Sequence, residues 1–187
     1  SDTDFTDKNV LVVGGTSGIG NGIAQAFRAR GATVEVWGTR AKAEDYDAAD
    51  GSDLTGLTYQ QVDIGSPAAI ADANLQIGTL DVLVLSQGIV AYKRAEFGQE
   101  GWDKVRAGNL DSLIHCSEKF RPDLSDREGS IIIIGSVSGI RANIGNPAYA
   151  ASKAGAISLT KSLGQAYARD GIRVNGIAPG LVDTKLT

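Results

Sequence analysis

Two residues with reactive side chains lie four positions apart in the segment NPAYAASKAG, residues 146–155. If this segment is helical, Tyr149 and Lys153 are separated by a rise of about 6 Å and converge on one face. A phenol has a pKa of about 10, and lowering it by about three units requires roughly 4 kcal/mol of phenolate stabilisation. An ammonium at about 4 Å in an effective dielectric of about 20 contributes that amount. The pair can therefore form a general acid and base, although the same spacing is common in ordinary exposed helix pairs.

A third polar group follows a run of branched apolar residues. The stretch SIIIIG, residues 130–135, predicts a buried strand, and Ser136 comes directly after it, thirteen residues before Tyr149. A hydroxyl at the carboxyl end of a parallel strand lies where ligands bind, so it can form a hydrogen bond with a substrate oxygen. Ser136, Tyr149 and Lys153 together predict proton transfer to and from such an oxygen.

A glycine-rich turn separates the first predicted strand from the first predicted helix. In GGTSGIG, the residues Gly14, Gly18 and Gly20 have the spacing G-x-x-x-G-x-G. A diphosphate needs free backbone N–H groups and the positive end of a helix dipole, and glycine lets the backbone approach it closely. The turn therefore predicts a dinucleotide site, with a tight packing turn as the alternative. The other residues of this predicted site are Thr16, Ser17 and Ile19.

The ends of the second and third predicted strands indicate which dinucleotide binds. The second strand ends with no carboxylate at positions 38–40 and with Thr39 and Arg40. An acidic residue there would bind the ribose 2′-hydroxyl of NAD, whereas an arginine can accommodate a 2′-phosphate. This favours NADP(H) over NAD(H). Glu35 lies inside the same strand and is the acidic residue that could still favour NAD(H). Asp63 follows the third strand and can bind an adenine amino group or cap the next helix.

Short apolar runs alternate with helix-like segments along the whole chain. The predicted strands are 9–14, 33–37, 57–62, 81–85, 130–135 and 172–177, and the predicted helices are 18–30, 41–49, 66–76, 99–120 and 148–169. This alternation predicts an α/β fold: a doubly wound parallel sheet (Rossmann fold) with helices on both faces. The length fits one domain over residues 1–187.

Composition narrows the possible partners. Apolar residues make up 42% of the 187 residues, charged residues 21%, and the net charge is −4, so no basic surface predicts a nucleic-acid partner. His115 and Cys116 are the only residues of their types, which predicts neither a disulfide nor a metal site and suits a reducing, cytoplasmic setting. The acidic start SDTDFTDKN lacks signal-peptide features, and no apolar run predicts a membrane span.

Taken together, these motifs resemble the short-chain dehydrogenase/reductases, in their compact single-domain branch. The matching pieces are GGTSGIG, Asp63, Ser86-Gln87-Gly88, Asn109 in GNLDS, Ser136, YAASK and PGLVDT. The resemblance implies that Tyr149 acts as general acid and base and that Ser136 orients and polarises a carbonyl. It implies that Lys153 lowers the pKa of Tyr149 and holds the nicotinamide ribose. It also implies that Asn109 disrupts its helix and binds a water that links Lys153 to solvent.

The same resemblance implies reversible hydride transfer between NADP(H) and a small-molecule ketone or secondary alcohol. Further cofactor contacts are implied for Tyr149 and Lys153 and for Ile64, Ser86, Gln87, Gly88, Pro179, Gly180, Val182 and Thr184. Small residues on the helix of Tyr149 let another helix approach closely. In the family this helix and the one carrying Asn109 pair between subunits, so the resemblance implies a homodimer or homotetramer. A dinucleotide-binding regulator without turnover, on the same fold, is the alternative.

The chain departs from the family pattern at three places. The family usually has Asn-Asn-Ala-Gly after the fourth strand, whereas this chain has Leu85-Ser86-Gln87-Gly88, which changes the wall near the adenosine ribose. The stretch 63–81 is short for a crossover, so we expect a compact third helix. Family members continue past the position of Thr187 into a helical lid and a further strand, so either the given sequence omits a tail or the protein is a truncated form whose substrate site is open.

Overall fold

The structure is a computed structural model that describes residues 4–48 and 51–184. Its centre is one parallel sheet of six strands in the order β3-β2-β1-β4-β5-β6. The strands are β1 (Asn9–Val13), β2 (Thr33–Gly38), β3 (Thr58–Gln61), β4 (Val82–Leu85), β5 (Ser130–Ile134) and β6 (Arg173–Ile177). All six predicted strands are therefore present, and each end lies within one residue of its predicted position.

In residues 4–48 and 51–184, five α-helices and one π-helical segment connect the strands. The helices are α1 (Gly18–Arg28), α2 (Pro67–Asp72), α3 (Gln99–Arg106), α4 (Ser112–Asp126) and α5 (Pro147–Ala166). The π-helical segment Ala107–Asp111 joins α3 to α4, so the predicted helix 99–120 is one interrupted helix that continues to Asp126. Short 3-10 turns occur at Ala43–Asp45, Ala95–Phe97, Val137–Gly139 and Ala168–Asp170.

Two of the predicted helices are much shorter than expected. In its described part, the segment 41–49 forms the 3-10 turn Ala43–Asp45 and no α-helix, because the chain turns extended at Tyr46 and brings its phenol back to the backbone of Thr39. Residue 49 lies outside the described residues, as do 1–3, 50 and 185–187. The helix predicted over 66–76 ends at Asp72, because Ala73 is extended and leads towards a hydrogen bond between Gln76 N–H and Glu35. This helix, α2, is therefore compact, as the short stretch between Asp63 and Asp81 predicted.

The core has one layer on each face of the sheet. Leu11 and Val13 of β1 pack in a cluster with residues of α2, α4 and α5, whereas Val10 and Val12 pack in a second cluster with Ala24 of α1. Alternate side chains of a strand point to opposite faces, so a strand buried on both faces is a continuous apolar run. This arrangement confirms the predicted α/β fold, a doubly wound parallel sheet with helices on both faces. In the described part of the chain, no helix combines the length and apolarity that a membrane span needs.

Glu35 is a buried carboxylate in β2 that holds a loop to the sheet. It accepts hydrogen bonds from Trp37 Nε1 at 2.9 Å and from the backbone N–H of Gln76 at 2.7 Å. We expect Glu35→Ala to lower the free energy of unfolding by about 2–4 kcal/mol, because it leaves buried donors without an acceptor. Urea denaturation measures this, with Glu44→Ala in the exposed 3-10 turn as the control. Equal stability of the two variants would contradict the role assigned to Glu35.

Candidate active site

The carboxyl ends of the strands open into a cavity of about 590 Å³. Strand β1 lies between β2 and β4, so the order of the strands reverses beside β1, and this is where ligands bind in open α/β sheets. The wall is built by the turn after β1, by the segments that follow β2, β3, β4, β5 and β6, and by the first turns of α5. The fold thus brings segments that are far apart in sequence to one edge of the sheet.

Most of the predicted site residues line this cavity. They are Gly14, Thr16, Ser17, Gly18, Ile19, Gly20, Thr39, Ile64, Ser86, Gln87, Gly88, Ser136, Tyr149, Lys153, Pro179, Gly180, Val182 and Thr184.

Three predicted site residues, Arg40, Asp63 and Asn109, do not line the cavity. Arg40 donates to the carbonyl oxygen of Asp45, and its guanidinium carbon lies 4.7 Å from the centre of the Tyr46 ring. The Asp63 carboxylate accepts from the N–H of Gly65 at 2.9 Å.

The glycine turn after β1 packs closely against the segment after β4. Gly14 has φ +74°, and a Cβ there would lie 2.8 Å from Cα of Gln87. A Cβ on Gly20 would lie 2.1 Å from the carbonyl oxygen of Gly14. Close packing is therefore enough to explain glycine at both positions, which is the alternative that the sequence analysis gave for this turn. A ligand role depends on what the turn presents to the cavity.

The turn presents the amino end of α1 to the cavity. Ser17 is the N-cap in an extended conformation, and its side chain makes no capping hydrogen bond within the described residues. The first turn of α1, which the structure describes in full, contains no acidic residue. The first N–H groups of a helix have no partner within the helix, and its dipole favours an anion there. The residues present therefore fit the diphosphate of a dinucleotide.

Lys153 lines the cavity beside Tyr149. Its side chain is buried, and Nζ donates to the carbonyl oxygen of Ile134 at 2.9 Å and to that of Gln87 at 3.4 Å. Nζ also lies 5.7 Å from the centre of the Tyr149 ring, so the helix brings the two side chains together as their spacing predicts. Burial lowers the pKa of the Lys153 ammonium from 10.5 to about 8. A cation in this place favours negative charge on the neighbouring phenol.

Ser136 follows β5 directly and caps the 3-10 turn Val137–Gly139. Its Oγ accepts a hydrogen bond from the N–H of Ser138 at 3.1 Å. Since a hydroxyl both accepts and donates, this contact fixes the oxygen and keeps its proton for a second partner. Ser136 and Tyr149 both line the cavity, so a substrate oxygen in it can reach two hydroxyl donors.

Asn109 lies in the π-helical segment and is fully buried. Its Oδ1 accepts from the N–H of Ile89 at 2.8 Å, and its Nδ2 donates to the carbonyl oxygen of Ile89 at 2.9 Å and to Ser152 Oγ at 3.2 Å. Both amide hydrogens are therefore used by protein atoms. The side chain joins the segment after β4 to α5, and the π-helical segment is where the helix is interrupted.

Two residues of this region carry no signal in the sequence. Glu96 is fully buried, and its carboxylate accepts from the backbone N–H of Tyr149 at 2.9 Å. The Tyr46 Oη accepts from the N–H groups of Thr39 at 3.0 Å and of Arg40 at 3.1 Å. Burial alone would raise the pKa of Tyr46, but the hydrogen bonds that its oxygen receives lower it below the usual value.

Comparison with known proteins decides the family. The model of the family described as short chain dehydrogenase matches residues 8–187. This chain belongs to the short-chain dehydrogenases. It is accordingly an oxidoreductase that acts on CH–OH or C=O groups with a nicotinamide dinucleotide.

Three similar proteins illustrate the match. The chain is 38% identical over 191 residues to the 3-oxoacyl-[acyl-carrier-protein] reductase FabG of Chlamydia muridarum, covering 98% of this chain and 77% of that protein. A dehydrogenase/reductase from Sinorhizobium meliloti 1021 superposes with a TM-score of 0.85 at 30% identity, covering 99% and 76% of the two chains. A protein described as ribose-5-phosphate isomerase from Brucella melitensis 16M superposes with a TM-score of 0.83 at 32% identity, covering 96% and 70%.

Proposed function

We propose that this short-chain dehydrogenase is an NADP(H)-dependent reductase that interconverts a carbonyl compound and a secondary alcohol. The observation that carries the proposal is the shared cavity wall, where Ser136, Tyr149 and Lys153 lie beside the glycine turn that precedes α1. The bound dinucleotide would supply or accept the hydride. The turn and the amino end of α1 would hold its diphosphate, and Lys153 would hold the nicotinamide ribose.

The protein's own part in the reaction is proton transfer. In reduction, the Tyr149 phenol would donate its proton to the carbonyl oxygen, while the Ser136 hydroxyl donates a hydrogen bond to the same oxygen. The buried Lys153 ammonium, 5.7 Å from the Tyr149 ring, would stabilise the phenolate that remains. In the reverse direction, the phenolate takes up the proton of the alcohol. Asn109 would support this geometry through Ile89 and Ser152.

The preference for NADP(H) is supported by the residues after β2. Arg40 stands close to that end of the strand, Thr39 lines the cavity, and no carboxylate occupies 38–40. Glu35 is the acidic residue of the same strand that could have favoured NAD(H). Its carboxylate accepts hydrogen bonds from Trp37 and Gln76, and Glu35 does not line the cavity. To reach a 2′-phosphate, the Arg40 guanidinium would have to leave the carbonyl of Asp45. The Asp63 carboxylate would accept a hydrogen bond from the adenine amino group.

Tyr46 gives a test of this preference. Its oxygen uses the N–H groups of Thr39 and Arg40, which a 2′-phosphate oxygen could otherwise accept from. We expect Tyr46→Phe to tighten NADPH binding about fivefold and to leave NADH binding unchanged, since an anion gains more from such donors than a phenol does. Calorimetric titration measures both, with Tyr167→Phe as the control, because Tyr167 lies at the carboxyl end of α5 and its hydroxyl contacts Glu118. An unchanged ratio in Tyr46→Phe would contradict the proposed phosphate position.

A 3-oxoacyl thioester on a carrier protein is the substrate class we propose, because the curated relatives bear the name 3-oxoacyl-[acyl-carrier-protein] reductase. Apolar side chains at the cavity wall support an acyl chain: Tyr92, Val137 and Val182 are exposed there, and Leu181 is 91% exposed. Acyl carbons gain free energy when they cover such surface.

We also propose that the enzyme is a cytoplasmic homodimer or homotetramer. The buried free thiol of Cys116, with its pKa raised to about 12 by burial, is suited to a reducing compartment. Exposed small residues on α5, among them Ala151 and Ala154, would let a second copy approach that helix. Sedimentation of the purified protein tests the assembly.

The first experiment is calorimetric titration with NADPH and then NADH, followed by a panel of carbonyl compounds that includes 3-oxoacyl thioesters. Tighter binding of NADPH and carbonyl-dependent loss of its absorbance support the proposal. Binding without turnover of any carbonyl would instead support the alternative, a dinucleotide-binding regulator. Tighter binding of NADH would overturn the cofactor preference.

A further inference from the structure

The helix that carries Tyr149 and Lys153 is anchored at its amino end by a distant carboxylate. Helix α5 begins at Pro147, and its N-cap residue, Asn146, makes no side-chain capping bond within the described part of the chain. Glu96, in the 3-10 turn Ala95–Phe97, takes that place, because its Oε2 accepts from the N–H of Tyr149 at 2.9 Å. A residue fifty-three positions earlier therefore supplies the acceptor that a helix usually finds in its own N-cap.

The same carboxylate also holds the cavity wall opposite α5. Glu96 Oε1 accepts from the N–H of Ala91 at 3.0 Å and from Asn146 Nδ2 at 3.2 Å. Ala91 lies between Val90 and Tyr92, two residues of the wall. One buried side chain thus joins the backbone of Tyr149 to the segment after β4, and a small displacement at Glu96 would change the distance between them.

The chemistry of the site favours a carboxylate over an amide. The three hydrogen-bond partners of Glu96 are all N–H donors, and an ionised carboxylate only accepts. None of the ion pairs formed by the described residues involves Glu96. Its charge is instead balanced by these donors and by the positive end of the α5 dipole. A glutamine of the same length would have to turn its NH₂ group towards a donor.

We propose that Glu96 is a positioning residue that sets the Tyr149 phenol against the wall of the active site. The inference rests on the proposed function, since it assigns Glu96 a part in the use of Tyr149. Glu96 touches neither the cavity nor the reacting atoms and acts through the backbone of Tyr149 and Ala91. Its loss should therefore affect the proton-transfer step more than the binding of the dinucleotide.

Two variants separate the reach of the side chain from its charge. Glu96→Gln keeps the length and removes the charge, whereas Glu96→Asp keeps the charge and shortens the reach; Glu100→Gln, at an exposed position of α3, is the matched control. We expect kcat to fall about 10- to 100-fold in both Glu96 variants. The KM for the carbonyl and the Kd for NADPH should stay within about threefold, and Glu100→Gln should match the wild type.

The pH profile and amide exchange complete the test. The kcat–pH profile of oxidation should move towards acid in Glu96→Gln only, because that variant alone removes the negative charge that lies against the backbone N–H of Tyr149. Amide hydrogen exchange at Tyr149 should rise at least about tenfold in Glu96→Gln, whereas exchange at Leu163, near the other end of α5, should not change.

Several results would overturn the positioning role. These are kcat within twofold of wild type in both folded variants, a loss of NADPH affinity that parallels the loss of kcat, an unchanged Tyr149 exchange rate, or failure of both variants to fold. If wild type binds NADPH but reduces no carbonyl, the proposed function fails. The exchange measurement then still decides whether Glu96 holds Tyr149.

Discussion

Tyr149→Phe is expected to lower the turnover of a carbonyl substrate by about 10²- to 10⁴-fold, because it removes the only proposed proton donor and leaves the ring in place. The Kd for NADPH should change by less than about threefold, since the glycine turn, α1 and Lys153 remain intact. Spectrophotometric assay of NADPH consumption, together with calorimetric titration, measures both quantities.

The matched control for this variant is Tyr167→Phe. Tyr167 is the C-cap of the same helix, and its hydroxyl contacts Glu118, far along α5 from the cavity. Loss of that contact should lower stability slightly and leave turnover unchanged. If Tyr149→Phe kept most of its activity, another group would have to supply the proton, and the assignment of Tyr149 would be wrong.

Lys153→Met is expected to change the pH dependence of stability. In the folded chain, burial lowers the pKa of Lys153 from 10.5 to about 8. Between these values the unfolded chain binds a proton that the folded chain does not, so this residue makes the free energy of unfolding rise with pH. Below about pH 8 the buried ammonium is a net cost, which Lys153→Met removes.

The stability difference between Lys153→Met and wild type should therefore be largest near neutral pH. It should decrease by about 2 kcal/mol between pH 7 and pH 9.5, because the wild-type cost disappears as the lysine loses its proton. Urea denaturation of both proteins across this range measures it, and the subtraction cancels the groups that they share. Parallel curves for the two proteins would show that Lys153 titrates with no shift on folding.

The same variant should lose function across this pH range. Without the ammonium, nothing at the position of Nζ would bind the ribose or stabilise the Tyr149 phenolate, so both NADPH affinity and turnover should fall. A buried, unpaired charge that costs stability is characteristic of a residue kept for function. A variant that kept wild-type turnover would contradict this role for Lys153.

The strands and the reactive pair could be predicted because their signals are local. Runs such as SIIIIG are buried on both faces of the sheet and therefore contain no polar alternation, and the i, i+4 spacing places Tyr149 and Lys153 together in any helix. The wall residues after each strand followed from the parallel topology, since all carboxyl ends lie at one edge.

The parts that could not be predicted depend on contacts between distant segments. Glu96 stands in an unremarkable polar stretch, and only the fold brings its carboxylate to the N–H of Tyr149. Tyr46 ends the expected helix over 41–49 because its phenol returns to Thr39 and Arg40, a choice that local propensity does not reveal. Helix α2 ends early because Gln76 binds Glu35, which lies on a strand forty-one residues before it.

The contact between Gly14 and Gln87 has a consequence for the order of folding. The turn after β1 is formed by residues early in the chain, yet it packs on backbone that follows β4, and β1 itself is held between β2 and β4. Pairing of distant parallel strands requires closure of long loops, which makes such contacts slow to form. During synthesis, the glycine turn therefore reaches its final shape only after the fourth strand has left the ribosome. A nascent chain that ends after β3 should have no affinity for a dinucleotide.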